Sequence, residues 1–335
     1  MTTTPPADPA LTDPALTGPA PTAPPLALGA MSFGTTIAED DAFVLLDAYV
    51  AAGGVWIDTA DCYAFWTDES GQGGASELLL GRWLAARPGV RERVRIATKV
   101  GCEPLYPGSY PEFSQGLAPD VVRRVAAQSL ERMGIDHIDL FWAHRDDRAA
   151  DLAQTVEAFA GLVDDGVVGR WGYSNTALWR VERAAAHARA QGITGPSAIQ
   201  LRYTYLQPRP FVRDHDHDHR FGWITDEVLD YAASNPGIDL WAYTPLLYGA
   251  YDRPDRQISD AFTHPGTTRR LEVLAEVARE LGVTRSEVVL AWLAGGDPVV
   301  RPVAGASTLA QVEAALAGVR LTLPPEARER LDAPW

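Results

Sequence analysis

From Leu26 onward the chain alternates short apolar runs with longer stretches whose apolar positions recur every three to four residues. "LALGAMSF" precedes "EDDAFVLLDAYVAAGG", "VWIDTA" precedes "ASELLLGRWLAA", and "VRIATKV" precedes "PDVVRRVAAQSLERMG". "HIDLFWAH" leads to a helical stretch from about Ala150 to Asp165, and "VVGRWGYSN" leads to "ALWRVERAAAHARAQG". "SAIQLRYTY" runs through a long loop to "TDEVLDYAASNPG", "IDLWAYTPL" to "TTRRLEVLAEVARELG", and "VVRPVAGA" to "TLAQVEAALAG". The short runs are near-continuously apolar, as in parallel strands covered on both faces.

Eight strand–helix units in about 300 residues predict an α/β fold, a single-domain (β/α)8 TIM barrel over residues 26–335. The polar residues argue the same way. Asp58, Lys99, His144, Asn175, Gln200 and Tyr243 each fall at the end of a predicted strand. A barrel gathers those ends on one face, where its active site lies, whereas an open sheet does not. No GxGxxG follows the first strand, which weakens a Rossmann reading.

Residues 1–25 are different. Eight of them are proline, none is arginine, and Ala and Thr fill most of the rest. That composition predicts a disordered tail and fits neither a signal nor a transit peptide.

Charge and cysteine content narrow the function classes. A net charge of −15 argues against sequence-independent nucleic-acid binding. No window approaches the ~18 continuous apolar residues of a membrane span. Two cysteines, Cys62 and Cys102, cannot staple a chain of 335 residues, so a reducing, cytoplasmic setting is expected.

The basic residues hold one anomaly. Of the 29 Lys and Arg, Lys99 is the only lysine. A compact ammonium is needed where a charge must sit against a titrating group, a task a planar guanidinium does poorly. Converging strand ends place Asp58, Tyr63, Lys99 and His144 around one point. In that arrangement a nearby ammonium is expected to lower the tyrosine pKa by roughly 1–3 units. Asp58 would aim the lysine, and His144 would donate to a carbonyl oxygen or share the proton. The result is a general acid beside a carbonyl site, with no metal and no nucleophile.

The segments "DTADCYA", "SELLLGRWL", "IATKVG", "SLERMGIDHIDLFWAHRDD", "VVGRWGYSN", "IQLRY", "WAYTPLLYGAY" and "VAGASTLAQV" resemble, in order and spacing, those of the aldo-keto reductase superfamily. The resemblance runs from about Leu26 to the C-terminus. It implies a catalytic tetrad of Asp58, Tyr63, Lys99 and His144, and NADPH as cofactor, with NADH as the alternative. By the same resemblance, Ser174, Asn175 and Gln200 hold the nicotinamide carboxamide and Tyr243 stacks on its ring. Thr244, Pro245, Leu246 and Gly249 belong to a segment lying along the pyrophosphate. Ser307, Thr308 and Gln311 meet the adenosine phosphate at a helix start, which suits an anion. Many relatives carry a basic residue and a Glu-Asn pair near that helix, where this chain has Gly305-Ala306 and Ala314-Ala315. Arg301 or another arginine is then the expected compensating cation.

Phe65, Trp66, Trp142, Arg145, Tyr205, Tyr248 and Tyr251 lie in loops or near strand ends and are expected to line an apolar substrate pocket, with at least half of the aromatics serving packing instead. His215, His217 and His219 in "RDHDHDHR" line one face of an extended segment, but a solvated loop is the expectation. Cys62 and Cys102 leave neighbouring strands and are read as ordinary thiols. The function read from these features is reduction of an aldehyde or ketone by a nicotinamide cofactor, the partner being a small carbonyl compound. The rivals are a nucleotide sensor with little turnover, resembling the family's channel-associated β subunits, and a metal-dependent barrel hydrolase, for which Asp58 and His144 supply too few ligands. The substrate and the oligomeric state stay open.

Overall fold

In the computed structural model the described residues are 23–210, 212 and 221–333. The expected disorder of the tail up to Thr22 and the reading of His215, His217 and His219 fall outside them. Pro24 is already buried, so packing begins slightly before Leu26.

The eight strands are β1 (Ala27–Gly29), β2 (Trp56–Asp58), β3 (Arg95–Val100), β4 (Ile138–Ala143), β5 (Val168–Ser174), β6 (Ala198–Arg202), β7 (Asp239–Tyr243) and β8 (Val300–Gly305). They pair in parallel in sequence order, and β1 pairs with both β2 and β8, so the sheet closes into a barrel. Helices α1 (Glu39–Ala51), α2 (Ala75–Ala86), α3 (Pro119–Met133), α4 (Leu152–Asp164), α5 (Leu178–Gln191), α6 (Asp226–Ser234), α7 (Pro265–Leu281) and α9 (Leu309–Arg320) follow the strands in turn, with α8 (Arg285–Ala294) inserted before β8. A last helix, α10 (Pro325–Asp332), packs on α7, where Arg330 reaches Glu276 and Glu280.

Helix α8 is absent from the sequence reading. Every residue from Val288 to Ala294 is buried. A helix covered all round has no polar face, so its period is invisible in the sequence. Its start is well specified, since Thr284 and Glu287 form a reciprocal capping box.

Alternating side chains fill the barrel in layers. Trp56, Trp142 and Trp241 meet edge to face in the middle, with ring centroids 5.2 and 5.5 Å apart. Ala27, Ala97, Leu140, Ala198 and Val303 pack beside them. Gly172 belongs to this arrangement: a Cβ there would lie 2.3 Å from the Ala198 carbonyl oxygen, a contact that only displaced backbone could relieve. Below the indoles, on strand positions nearer the N-terminal ends, Asp239 takes Arg170 at 2.7 Å and Arg301 at 3.7 Å. Their guanidinium groups lie over Trp56 and Trp241. Above the indoles the inward positions turn polar, and that layer is the candidate site.

Asp239 carries a stability prediction. Burial pushes its carboxyl up, but Arg301 and Arg170 outweigh that and hold it below the usual range. A carboxyl depressed in the folded state stabilises above its unfolded pKa and loses that contribution as pH falls. Asp239→Asn should therefore cost about 3 kcal/mol at neutral pH, as when a buried pair loses one partner. The gap from the parent should narrow as pH drops through about 4. Denaturant melts across pH check this, and an unchanging gap would show that the charge is irrelevant.

Candidate active site

Lys99 is the hub of the polar layer. It is fully buried, and its Nζ donates to Asp58 Oδ2 at 2.5 Å, the Thr59 carbonyl at 2.7 Å and the Tyr63 hydroxyl at 2.8 Å. These are all the hydrogen bonds an ammonium can donate. Adjacent strands supply the partners, because Asp58 ends β2 while its neighbour in register, Ala97, lies two residues before Lys99 on β3. The other Asp58 oxygen accepts from Gln200 Nε2 at 3.0 Å, which ties β6 into the cluster.

Tyr63 stands on the turn that leaves β2, with Ala64 in left-handed backbone directly after it. The expectation of a lowered phenol pKa is overturned. Burial pushes the Tyr63 phenol well above its usual value, and the Asp58 charge adds to the rise. Removal from water is the leading cause, and Asp58, 2.5 Å from Lys99, opposes the ammonium. The phenol holds its proton with the ammonium 2.8 Å from its oxygen.

His144 follows β4 directly, its ring centroid 5.9 Å from that of Tyr63. Its Nδ1 lies 3.6 Å from Cys62 Sγ, and its carbonyl accepts from Asn175 Nδ2 at 3.0 Å. Asn175 Nδ2 also reaches Ser174 Oγ at 3.2 Å, and its Oδ1 accepts from the Tyr243 hydroxyl at 2.7 Å. Ser174 pairs in register with Gln200. Asp58, Tyr63, Lys99, His144, Ser174, Asn175, Gln200 and Tyr243 are thus brought together at one mouth.

The same face concentrates backbone strain. Among the described residues, the non-glycine positions at positive φ are Ala64, Asn175, Thr244, Leu247 and Tyr248, all on loops that leave strand C-terminal ends. Such conformations cost energy and persist where the surroundings over-determine them, commonly at ligand sites. Thr244 to Gly249 form a tight turn here, and the Pro245 carbonyl accepts from Thr204 Oγ1 at 2.7 Å. Leu246 is partly buried against the core beneath it. At the start of α9, Thr308 caps the helix by accepting from the Gln311 N–H at 3.3 Å. Gln311 folds back, its Oε1 accepting from the Ser307 N–H at 2.7 Å. No cation sits at Gly305-Ala306, and Arg301 is held by Asp239 at the opposite end of β8, four residues or roughly 13 Å away. Arg301 is therefore not the compensating cation.

The expected pocket residues divide. Phe65 and Trp66 meet at 5.0 Å, Trp66 faces the Tyr63 ring at 6.3 Å, and Arg145 lies over Tyr110 nearby. Tyr248 is exposed on the far loop. Trp142, in contrast, is wholly buried in the barrel interior against Trp241. Tyr205 is packed between Arg270 and Trp292, its hydroxyl donating to the Leu331 carbonyl at 3.3 Å. Tyr251 is buried with its hydroxyl 2.6 Å from Thr204. These three serve packing. The sequence reading missed Tyr110, whose ring meets that of Phe65 at a tilt, with centroids 5.1 Å apart. It sits in a loop whose aromatic content was visible but whose path was not. The contact of Cys62 with His144 was also missed, since it depends on how two loops meet.

Comparison with known proteins agrees with this geometry. Residues 25–335 match the model of the aldo/keto reductase family. The chain belongs to that family. It is an oxidoreductase of the kind that reduces carbonyl groups with NAD(P)H. It is 30% identical over 312 residues to the oxidoreductase YrpG of Bacillus subtilis, covering 90% of this chain and 89% of that protein. It is 29% identical to the NADP(+)-dependent aryl-alcohol dehydrogenase of Phanerodontia chrysosporium, covering 92% of this chain and 81% of that one. An aldo-keto reductase from Klebsiella pneumoniae, solved with NADPH, shares the fold with a TM-score of 0.67 at 23% identity over 92% of this chain and 90% of that one. Among the described residues of this aldo/keto reductase, no helix is long and apolar enough to cross a membrane.

The reassignment of Tyr205 can be tested directly. Tyr205→Phe removes one buried hydrogen bond and should lower stability by about 1 kcal/mol. The kcat and KM for any carbonyl substrate should stay within twofold, measured with a thermal melt on the same sample. A rise in KM with unchanged melting would return Tyr205 to the substrate pocket.

Proposed function

We propose that this aldo/keto reductase uses NADPH to reduce aldehydes or ketones that carry an aromatic or bulky apolar body, with Asp58, Tyr63, Lys99 and His144 as its catalytic residues. The observation that carries this reading is the single lysine of the chain, buried with its ammonium 2.8 Å from a tyrosine hydroxyl at the mouth of the barrel.

Tyr63 serves as general acid and delivers its proton to the carbonyl oxygen. The raised phenol pKa keeps that proton in place beforehand. As it leaves, the phenolate oxygen gains charge against the Lys99 ammonium, in a setting with little water to screen the attraction. Asp58 aims Lys99 by accepting one of its hydrogen bonds. His144, across from Tyr63, donates to the same carbonyl oxygen and fixes which way it points. When bound, the cofactor supplies a hydride to the carbonyl carbon.

The residues present fit a dinucleotide. Ser174, Asn175 and Gln200 present amides and a hydroxyl side by side for a carboxamide, and Tyr243 offers a ring beside them. The turn from Thr244 to Gly249, with its left-handed backbone, would follow the pyrophosphate. Gly305 leaves open space, since a Cβ there meets nothing within 4 Å. Beside it Ser307, Thr308 and Gln311 open a helix N-terminus, which attracts phosphate. The choice of NADPH over NADH rests on the relatives named above. Both cysteines are buried free thiols, which suits a reducing compartment such as the cytoplasm. No observation favours the sensor reading.

The aromatic preference rests on the wall beside Tyr63. Phe65, Trp66 and Tyr110 form a continuous apolar edge, and Leu105, Tyr106 and Phe113 extend exposed apolar surface on the same β3 loop. Trp66→Ala should raise KM for a benzaldehyde-type substrate by roughly tenfold, the worth of one well-placed apolar contact. It should leave a short aliphatic aldehyde nearly unchanged. Equal effects on both substrates would count against the wall.

Tyr63→Phe keeps the ring and removes the acid. Turnover should fall by roughly 10²–10⁴-fold, with NADPH affinity, read by fluorescence titration, hardly altered. Lys99→Arg should lose about as much as Lys99→Met, because a planar guanidinium cannot serve Asp58, Thr59 and Tyr63 from one point. Both variants need a melting curve to show that they fold. Retained turnover in folded Lys99→Arg would remove the lysine from the mechanism.

A further inference from the structure

We propose that Asp61, Cys62 and His144 form a binding site for a borderline-soft divalent cation, zinc being the best match, beside the catalytic tyrosine. A carboxylate oxygen of Asp61, Sγ of Cys62 and a ring nitrogen of His144 all lie within 4.8 Å of one another. Among the described residues it is the cluster of metal-type donors that comes this close. Two loops make it, the β2 exit supplying Asp61 and Cys62 and the β4 exit supplying His144.

The spacing suits the ion. Tetrahedral zinc with bonds of about 2.3 Å to sulfur and about 2.0 Å to nitrogen sets those two atoms roughly 3.6 Å apart. The Cys62 Sγ to His144 Nδ1 distance is 3.6 Å. A thiol donating to the imidazole accounts for that one contact. It leaves a second observation without explanation. Asp61 is 2% exposed, and its Oδ1 has no hydrogen-bond partner. The other Asp61 oxygen accepts from Gln115 Nε2.

Carboxyl groups crowd the Asp61 side of the cluster. Glu77 and Glu103 lie near Asp61, and the Oε2 of Glu103 is likewise buried without a partner. Arg132, 2.9 Å from Glu77, faces these carboxyls. A divalent cation would supply the partner that the buried Asp61 Oδ1 lacks. The sulfur ligand excludes magnesium and calcium, which take oxygen, and the Cys102 thiol beside Cys62 adds a second soft donor within reach.

Binding forms bonds from the metal to the Cys62 sulfur, an Asp61 oxygen and a His144 nitrogen, and it releases to water the Cys62 thiol proton and any proton carried by the Asp61 carboxyl. It also commits a ring nitrogen of His144 to the ion and sets a divalent charge beside the imidazole, which removes the ring from its role toward the carbonyl. Zinc should therefore inhibit reduction. That consequence rests on the role proposed for His144, whereas the site itself does not.

The test uses chelator-treated full-length protein. Cobalt titration should give a thiolate-to-metal absorption band saturating at one equivalent, and zinc should displace the cobalt. Magnesium should do nothing. Cys62→Ala, checked by thermal melting, should lose the band, and whatever turnover it keeps should resist zinc inhibition. Asp61→Asn should weaken zinc binding at least tenfold by calorimetry. No thiolate band, or zinc binding unchanged in Cys62→Ala, overturns the site. A Cys62-dependent band without inhibition would uphold the site and overturn its coupling to catalysis through His144.

Discussion

A lysine ammonium fully removed from water governs the arrangement of this molecule. Taking such a charge out of water costs several kcal/mol, and the cost is offset only when a counter-charge and every hydrogen bond are in place. Lys99 meets that demand with Asp58, the Thr59 carbonyl and the Tyr63 hydroxyl. Each acceptor constrains an element: the end of β2, its first loop residue and the turn beyond. Arginine, written everywhere else in the chain, carries five donors in a rigid fork that this pocket would leave unsatisfied.

The constraint spreads by hydrogen bonds. Gln200 fixes the second Asp58 oxygen, so β6 is held to β2 across the barrel mouth. Asn175 links Tyr243 to the His144 carbonyl, and His144 in turn rests against Cys62. Polar side chains from five strands are thereby fixed relative to one another. The strained residues at the strand exits fit this picture, because a network of this kind can hold backbone in left-handed conformations that an isolated loop would leave. Beneath it, three tryptophans and their small neighbours make a rigid floor, closed off by Asp239 and its arginines.

Chemistry and recognition are divided between parts of different stiffness. Tyr63 and the polar groups that surround it stand on strand ends and the first turn beyond β2, above the packed indoles. The wall that would meet the substrate body, Phe65, Trp66 and Tyr110, stands on loops with half-exposed rings. That division lets the chemistry stay constant while loop residues change what is accepted, as expected of a barrel whose active face is built from strand-to-helix loops. It also explains why a chain with a net charge of −15 can hold an anionic cofactor. Helix termini and backbone N–H groups act at short range, where the overall field matters less.

The barrel and its polar layer were legible in the sequence because both depend on local patterns. Apolar runs of strand length repeat, and a polar residue closes nearly every one, so the convergence of Asp58, Lys99 and His144 follows from topology alone. What the sequence could not decide were quantities that sum over neighbours distant in the chain. Tyr205 and Trp142 looked like pocket residues by position, yet Arg270 and Leu331 enclose one and Trp241 the other. Arg301 looked free to meet a phosphate until the register of β8 placed it beside Asp239. Helix α8, buried on every side, showed no period to read. The direction of the Tyr63 pKa was inverted for the same reason. Sequence supplies the identity of the nearby lysine, but whether its field survives depends on the 2.5 Å approach of Asp58 and on how much water is excluded, and only the folded structure sets those.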